Sequence, residues 1–318
     1  MSKQWFLRSA ALLTFTASSV VLSAQTPRGA LPGTVNYVEG QVSIDGNPLN
    51  TRQTGNVQVQ PHQSLMTANG KVEMLLTPGV FVRVGSNSDI RMVSNGLANP
   101  TIEVVRGEAM IEVDQQVTGA QIDVLQHAAT ASILKYGLYR FDGDQGRIEV
   151  LDGRLRVAEN GQTKVLGKGR EALINGQPLK TIGFDPKAED ELYRWSSVRS
   201  AYLAEANTVT AQSIYNGYGQ FWGADWYWDP YFDLWSWLPG DGFFYSPFGY
   251  PFFSPGYAMY ASRFGFGRGG YGRGGYGHGG YTAQRFAGRA GVNMAPRLSS
   301  GGFGGGGFHG GGGGGGRR

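Results

Sequence analysis

Leu65-Met-Thr-Ala-Asn-Gly-Lys-Val72-Glu-Met-Leu-Leu-Thr-Pro78-Gly79-Val-Phe-Val-Arg-Val84 is the stretch that decides the fold. Two apolar runs flank Pro78-Gly79. Proline presets φ for the first central position of a turn and glycine accepts φ > 0 at the second, so a type II turn is expected there. Val72, Met74 and Leu76 alternate with Glu73 and Thr77, and Val80, Val82 and Val84 alternate with Phe81 and Arg83. Alternation with period two in β-branched residues predicts half-buried strands on either side of the turn.

Working outward, one unit recurs: two short strands about a central glycine. It reads Val35-Asn-Tyr-Val-Glu-Gly40-Gln-Val-Ser-Ile44, then Ile102-Glu-Val-Val-Arg-Gly107-Glu-Ala-Met-Ile-Glu-Val113, then Ile148-Glu-Val-Leu-Asp-Gly153-Arg-Leu-Arg-Val157. Each glycine implies a backbone conformation that a Cβ would penalise. The repetition predicts stacked short strands, β-solenoid-like or a sandwich, over residues 33–183. A β domain of this length can bury its own core.

These residues carry a family resemblance. Gly33-Thr-Val-Asn-Tyr-Val-Glu-Gly-Gln-Val, Leu65-Met-Thr, Gly70-Lys-Val-Glu-Met-Leu-Leu, Gly79-Val-Phe-Val-Arg-Val-Gly-Ser-Asn-Ser and Val104-Val-Arg-Gly together resemble a FecR-type domain. Gly137-Leu-Tyr-Arg-Phe, Val150-Leu-Asp-Gly and Gly167-Lys-Gly-Arg-Glu match its second half. The resemblance covers about half the chain. It implies an exported β domain that binds protein. Well-known members join a periplasmic β domain through a membrane helix to a cytosolic anti-sigma segment, whereas this chain carries an export signal where those parts would stand.

That signal lies in residues 1–24. Lys3 and Arg8 precede an apolar run from Ala10 to Leu22, and Ser23-Ala24 offers a cleavage site. The run is too short to span a bilayer comfortably, so a cleaved signal peptide is the first reading and a retained anchor the second. No later segment resembles a transmembrane span. The chain of 318 residues has no cysteine, which excludes disulfides, thiolate metal sites, a thiol nucleophile and a lipid anchor on cysteine. The net charge of +4 is unevenly placed. Residues 263–318 hold eight arginines and no acid, while residues 25–262 hold 24 acids against 18 basic residues.

After the β domain, Asp185-Pro186 suits a helix start, with Asp185 as N-cap and Pro186 at the first helical position. Leu192, Trp195, Val198, Tyr202, Ala206 and Val209 then predict one apolar face of an amphipathic helix over 185–214 that docks on the β domain. Residues 215–262 hold 20 aromatics in 48 positions, broken by prolines and glycines. Residues 263–318 hold 25 glycines in 56 positions, with Gly-Arg-Gly-Gly-Tyr nearly repeated, a composition that predicts a disordered Gly/Arg tail.

In the aromatic-rich segment Trp222, Trp226, Trp228, Trp235 and Trp237 are the candidate ligand contacts, facing sugar rings or a membrane interface. The alternative is an irregular flap packed over the helix and one β face. Asp225, Asp229 and Asp233 lie four apart but lack an established calcium-loop spacing, and Asp142-Gly-Asp144-Gln-Gly146 reads as a hairpin turn. The basic tail suits anionic envelope surfaces; an exported chain has little nucleic acid to meet. Four histidines, His62, His127, His278 and His309, are scattered. No phosphate loop, metalloprotease motif or nucleophile elbow is present, so no catalytic residue, cofactor or metal is assigned.

The sequence thus predicts an all-β protein followed by a helix, an aromatic Pro/Gly-rich segment and a tail. Its expected role is a non-catalytic binding or scaffold protein of the periplasm or cell surface, with an envelope protein as partner. The alternatives are a soluble periplasmic signalling component and a glycan-binding or glycan-modifying protein.

Overall fold

The computed structural model describes residues 29–115, 119–174 and 178–264. The signal segment 1–24 and the tail beyond 264 lie outside the described residues. In chain order the strands are β1 (Val35–Ile44), β2 (Asn47–Pro48), β3 (Ser64–Leu75), β4 (Val80–Val84), β5 (Asp89–Ser94), β6 (Thr101–Arg106), β7 (Glu108–Val113), β8 (Ile122–Gln126), β9 (Ala129–Ile133), β10 (Gly137–Asp142), β11 (Arg147–Asp152), β12 (Arg154–Glu159), β13 (Gln162–Gly167), β14 (Arg170–Leu173) and β15 (Lys180–Gly183). Helix α1 (Glu191–Tyr215) follows. Two small hairpins come next, β16 (Asp225–Asp229) with β17 (Leu234–Leu238) and β18 (Phe243–Tyr245) with β19 (Pro251–Phe253), and then a 3-10 run Pro255–Phe264.

The fold is all-β with one long helix, as the alternation and the helical spacing predict. Strands β1–β15 form one sheet, ordered β13-β12-β9-β8-β6-β5-β3-β4-β7-β10-β11-β14-β15, with β1 beside β3 and β2 beside β1. β3 joins the two halves. Its first residues pair with β5 and its last with β4, while β1 runs along its whole length. The two halves fold face to face over one core of Val, Ile, Leu and Ala, with Tyr139 and Phe141 among them. This is a sandwich rather than a solenoid. A solenoid stacks parallel strands in chain order, whereas these ladders are antiparallel except for β6 with β8.

The recurring glycine unit has a different meaning from stacking. Gly107 separates β6 from β7, and Gly153 separates β11 from β12, and in each case the two strands belong to opposite halves of the sheet. Gly40 faces Gly70 where the β1–β3 ladder shifts register between the halves. The repeat therefore marks the corners of the sandwich. At Gly153 the backbone takes φ +93°, and a Cβ would lie 2.3 Å from the Tyr139 hydroxyl. That hydroxyl accepts a bond from Arg154 N–H at 3.0 Å and donates to Lys135 O at 2.6 Å, so it cannot retreat without losing both.

Pro78-Gly79 forms the expected turn: Gly79 has φ +80° and Val80 N–H donates to Thr77 O at 2.8 Å. His62 and His127 both occupy left-handed turn positions. Asp142 accepts from Gln145 N–H at 2.9 Å in the β10–β11 hairpin, the turn read from the sequence.

The helix starts later than its sequence signals suggest. Its N-cap is Asp190, whose side chain accepts from Tyr193 N–H at 2.7 Å. Asp185 instead holds a separate turn, accepting from Lys187 N–H at 3.0 Å. The buried face matches the expected apolar one only at Leu192 and Ala206. Ser196, Arg199, Ser200, Leu203, Ala204, Asn207, Thr208 and Ala211 are buried with them, whereas Val209 is exposed and Trp195, Val198 and Tyr202 are half-buried. Polar groups on that face find partners on the sheet and hairpins, which the helical wheel alone does not reveal.

Replacing Gly153 with Ala should cost at least about 1–3 kcal/mol, because strain at φ > 0 adds to a backbone or side-chain displacement. Gly161→Ala, also at positive φ but with open space around it, should cost only about 1 kcal/mol. Thermal denaturation of the two variants checks the difference.

Candidate functional site

Strands β4 and β7 are buried on both faces, not half-buried. Their inner side chains, Val80, Val82, Val84, Ala109, Ile111 and Val113, fill the sandwich core. Their outer side chains lie beneath α1 and the aromatic segment. Glu73, Arg83 and Glu112 are each fully buried there. The alternation that read as one wet face is covered because the rest of the chain folds back over it.

These charges are paired. Glu73 and Arg83 face each other in the β3–β4 register, and Arg83 Nε donates to Glu73 Oε2 at 2.9 Å. Arg83 Nη1 also donates to Glu112 on β7. From α1, Arg199 Nη2 reaches Glu73 Oε1 at 2.9 Å and the Ser200 hydroxyl reaches Glu112 Oε1 at 2.7 Å. The Arg199 guanidinium lies 4.0 Å from the Tyr37 ring centroid, and that of Arg83 lies between Phe81 and Phe248 at 5.4 and 5.9 Å. Two carboxylates thus meet two guanidiniums out of water, the condition under which buried charge is tolerated. Burial alone raises the Glu73 carboxyl pKa, but Arg199 and Arg83 outweigh it and hold the group below its usual range. For Asp114, at the end of β7, the pull of Arg83 does not offset burial. Burial first, and the neighbouring charge of Glu112 second, push it well above the usual carboxylate range. What this cluster does chemically is fasten α1 to the sheet.

Two asparagines fasten the hairpins. Asn36 accepts from Trp235 N–H at 2.8 Å and donates to Trp235 O at 3.0 Å. Asn207 donates to Trp237 O and Phe253 O and accepts from Phe253 N–H at 2.7 Å, so one side chain ties both hairpins to the helix. Each amide side chain completes backbone groups that would otherwise be orphaned.

The five tryptophans singled out by sequence separate into three groups. Trp226 and Trp237 are fully buried, packed with Phe81, Leu203 and Phe252 between hairpin, helix and sheet. They are core, which corrects their expected role as ligand contacts: opposite each other across β16 and β17, they pack between α1 and β4. Trp228 and Trp235 are half-buried and meet edge to face at 5.5 Å. Trp235 Nε1 donates to Gly55 O at 2.8 Å, and a Cβ on Gly55 would strike Trp228, so this pair clamps the loop before β3. Trp222 alone is exposed, at 49%.

Trp222 stands in an ordered arrangement that the sequence did not disclose. Its ring stacks on Tyr227 at 4.3 Å and 20°, and Phe221 stacks on the same tyrosine at 5.9 Å and 19°. The Tyr227 hydroxyl donates to Gly223 O and accepts from Trp222 N–H, both at 2.9 Å. Trp222 Nε1 donates to Asp225 Oδ2 at 3.2 Å. Of the three spaced aspartates, Asp225 thus holds the indole. Asp229 is buried and accepts from Thr210, Tyr231 and Phe232. Among the described residues no group of acids and histidines has the spacing of a metal site.

Known proteins offer little beyond this geometry. No family model matches the chain, and no curated protein does. Two crystal structures titled as a candidate anti-sigma factor from Parabacteroides distasonis ATCC 8503 are similar to part of it, at 16% and 15% identity and a TM-score of 0.34 in each case. The match covers 38% of this chain and 59% of those chains, so it spans less than two thirds of either. The FecR-type resemblance of the motifs is matched only by this loose likeness, which is too slight to transfer a function.

Truncating one partner of the buried cluster, as in Arg83→Met, should cost about 3–5 kcal/mol because it leaves the buried Glu112 without a cation and Glu73 with Arg199 alone. Asp114→Asn should do the opposite at neutral pH. An acid whose folded pKa is raised gives its full stability below the unfolded value, about 3.9, and loses it as pH rises through the folded value. The Asn variant escapes that loss, so its Tm should exceed the parent's at pH 7, and the gap should narrow below about pH 3.9. Glu73 acts in the reverse sense and weakens the fold as acid protonates it. Thermal melts across the pH range check both.

Proposed function

We propose that this chain is a non-catalytic binding protein of the cell envelope, exported by its N-terminal signal, and that its contact surface lies on the aromatic segment. The observation that carries this reading is the distribution of exposed apolar side chains. Ten of the 16 large hydrophobic residues exposed among the described residues fall between Tyr215 and Tyr260, nine of them aromatic. Among them Phe243, Tyr245, Tyr257 and Tyr260 meet ring to ring, and an exposed aromatic cluster of this kind marks an interaction site. A sheet edge, where a partner strand could add, is a weaker candidate. On β13 the Lys164 ammonium donates to Leu179 O and the Gln162 side chain accepts from Leu179 N–H, so a loop of the chain already covers part of that edge.

Glu73, Arg83, Glu112 and Arg199 spend themselves on one another beneath the helix, and Arg140, Asp142, Arg147 and Glu149 pair with one another on β10 and β11. This supports a binding rather than a catalytic role. The segment's unburied acids, Asp225, Asp233 and Asp241, have no lysine or arginine among them from residue 215 to 262. That favours a neutral or cationic partner surface over an anionic one.

The test is photo-crosslinking in cells that export the chain, with a photoreactive phenylalanine in place of Tyr218 or Tyr245. The binding proposal expects a discrete adduct from these positions and none from Tyr136 on the β domain. Recovery of a membrane-bound regulator would turn the reading toward signalling. Equal or absent crosslinking at all three positions would overturn it.

A further inference from the structure

We infer that Trp222, Phe221 and Asp225 form a platform for a pyranose ring of a neutral polysaccharide. The inference deepens the binding role proposed above by naming the ligand class, and it rests on that reading for its place on the surface.

Three features carry it. The first is flatness. Trp222 and Phe221 each lie within 20° of parallel to Tyr227, and this nearly fully buried ring is the one both stack on. Trp222 and Phe221 are 49% and 39% exposed, so the rings offer apolar area to solvent from an ordered position. The C–H face of a pyranose is flat and weakly apolar, and an aromatic ring is its natural complement.

The second is preorganisation. Trp222 is held at its backbone N–H by the Tyr227 hydroxyl and at its indole N–H by Asp225. An exposed indole with no other duty would rotate freely; this one is fixed at both ends. Rigid placement lowers the entropy lost when a ligand binds.

The third is the acceptor beside the ring. Asp225 receives one bond at each oxygen, from Trp226 N–H at 2.8 Å on Oδ1 and from Trp222 Nε1 on Oδ2. A carboxylate has about four lone-pair sites, so acceptor capacity remains on a half-buried group at the rim of the indole. An apolar plane flanked by a charged acceptor matches a sugar, whose ring face is apolar and whose rim carries hydroxyl donors. It does not match a hydrocarbon surface, which would desolvate the Asp225 charge with no cation to offset it. An anionic polymer is disfavoured by the unburied acids and absent bases of residues 215–262.

Isothermal titration calorimetry of the full mature chain tests this with two neutral probes, β-1,4-linked hexamers of glucose and of N-acetylglucosamine. At least one should bind, with an affinity that does not fall as salt rises. Trp222→Ala should weaken it roughly three- to tenfold, the worth of one aromatic contact. Because Trp222 is half exposed and its ring meets only Tyr227 and Asp225, that variant should melt slightly lower but keep the parent's far-UV circular dichroism, so lost binding is not lost folding. Asp225→Asn, which keeps an acceptor oxygen but loses the charge, should weaken binding less than Trp222→Ala. Failure of both hexamers to bind the parent, or equal affinity of parent and Trp222→Ala, would overturn the platform. A protein adduct from Tyr218 in cells together with no heat from either sugar would overturn the sugar inference and leave the binding role standing.

Discussion

Everything on the outer side of the second half-sheet depends on one constraint: Glu73, Arg83 and Glu112 must be kept away from water together or not at all. A single uncovered or unmatched charge in that row would cost several kcal/mol. Arg199 and Ser200 complete the set from the helix, so α1 can lie against the sheet in one register only. The hairpins then follow, because Asn36 and Asn207 receive their backbone edges at fixed places. An apolar face would hold the helix as tightly and with less penalty, but it would permit sliding. Polar pairing here serves position more than strength.

This constraint explains which parts of the sequence were legible. Strand positions follow period-two alternation, and the Pro78-Gly79 turn follows from the φ preferences of its two residues. Neither needs distant partners. The outer face was misread for the same reason. Glu73 and Arg83 look like solvent-facing residues on a β-strand, and only residues some 110 positions later along the chain bury them. The helix face was misread likewise. Ser196, Arg199, Ser200 and Asn207 appear as its polar side until the carboxylates and carbonyls opposite them are known. The glycine repeat was visible, but its function as a sandwich corner depends on strand order, which periodicity does not encode.

The aromatic segment divides along the same line. A count of tryptophans shows that it is unusual but cannot say which ones are structural. Trp226 and Trp237 face each other where the hairpin packs on α1 and β4, Trp228 and Trp235 lie two residues nearer its turn, and Trp222 precedes the hairpin altogether. Most of the segment's aromatic mass is spent on closing the fold, and a small remainder, fixed by Tyr227 and Asp225, is presented to solvent. The surface offered to a partner is thus built on a rigid base.

The central claim is that residues 191–253 complete the fold rather than decorate it. Native-state hydrogen exchange on the mature chain tests it most directly, at the Trp235 and Phe253 amides that Asn36 and Asn207 hold. The account predicts that both amides exchange as slowly as those of β4 and lose protection together with them in Arg83→Met. Rapid exchange at both amides, with β4 still protected, would show that the aromatic segment is a separate flap and would contradict it.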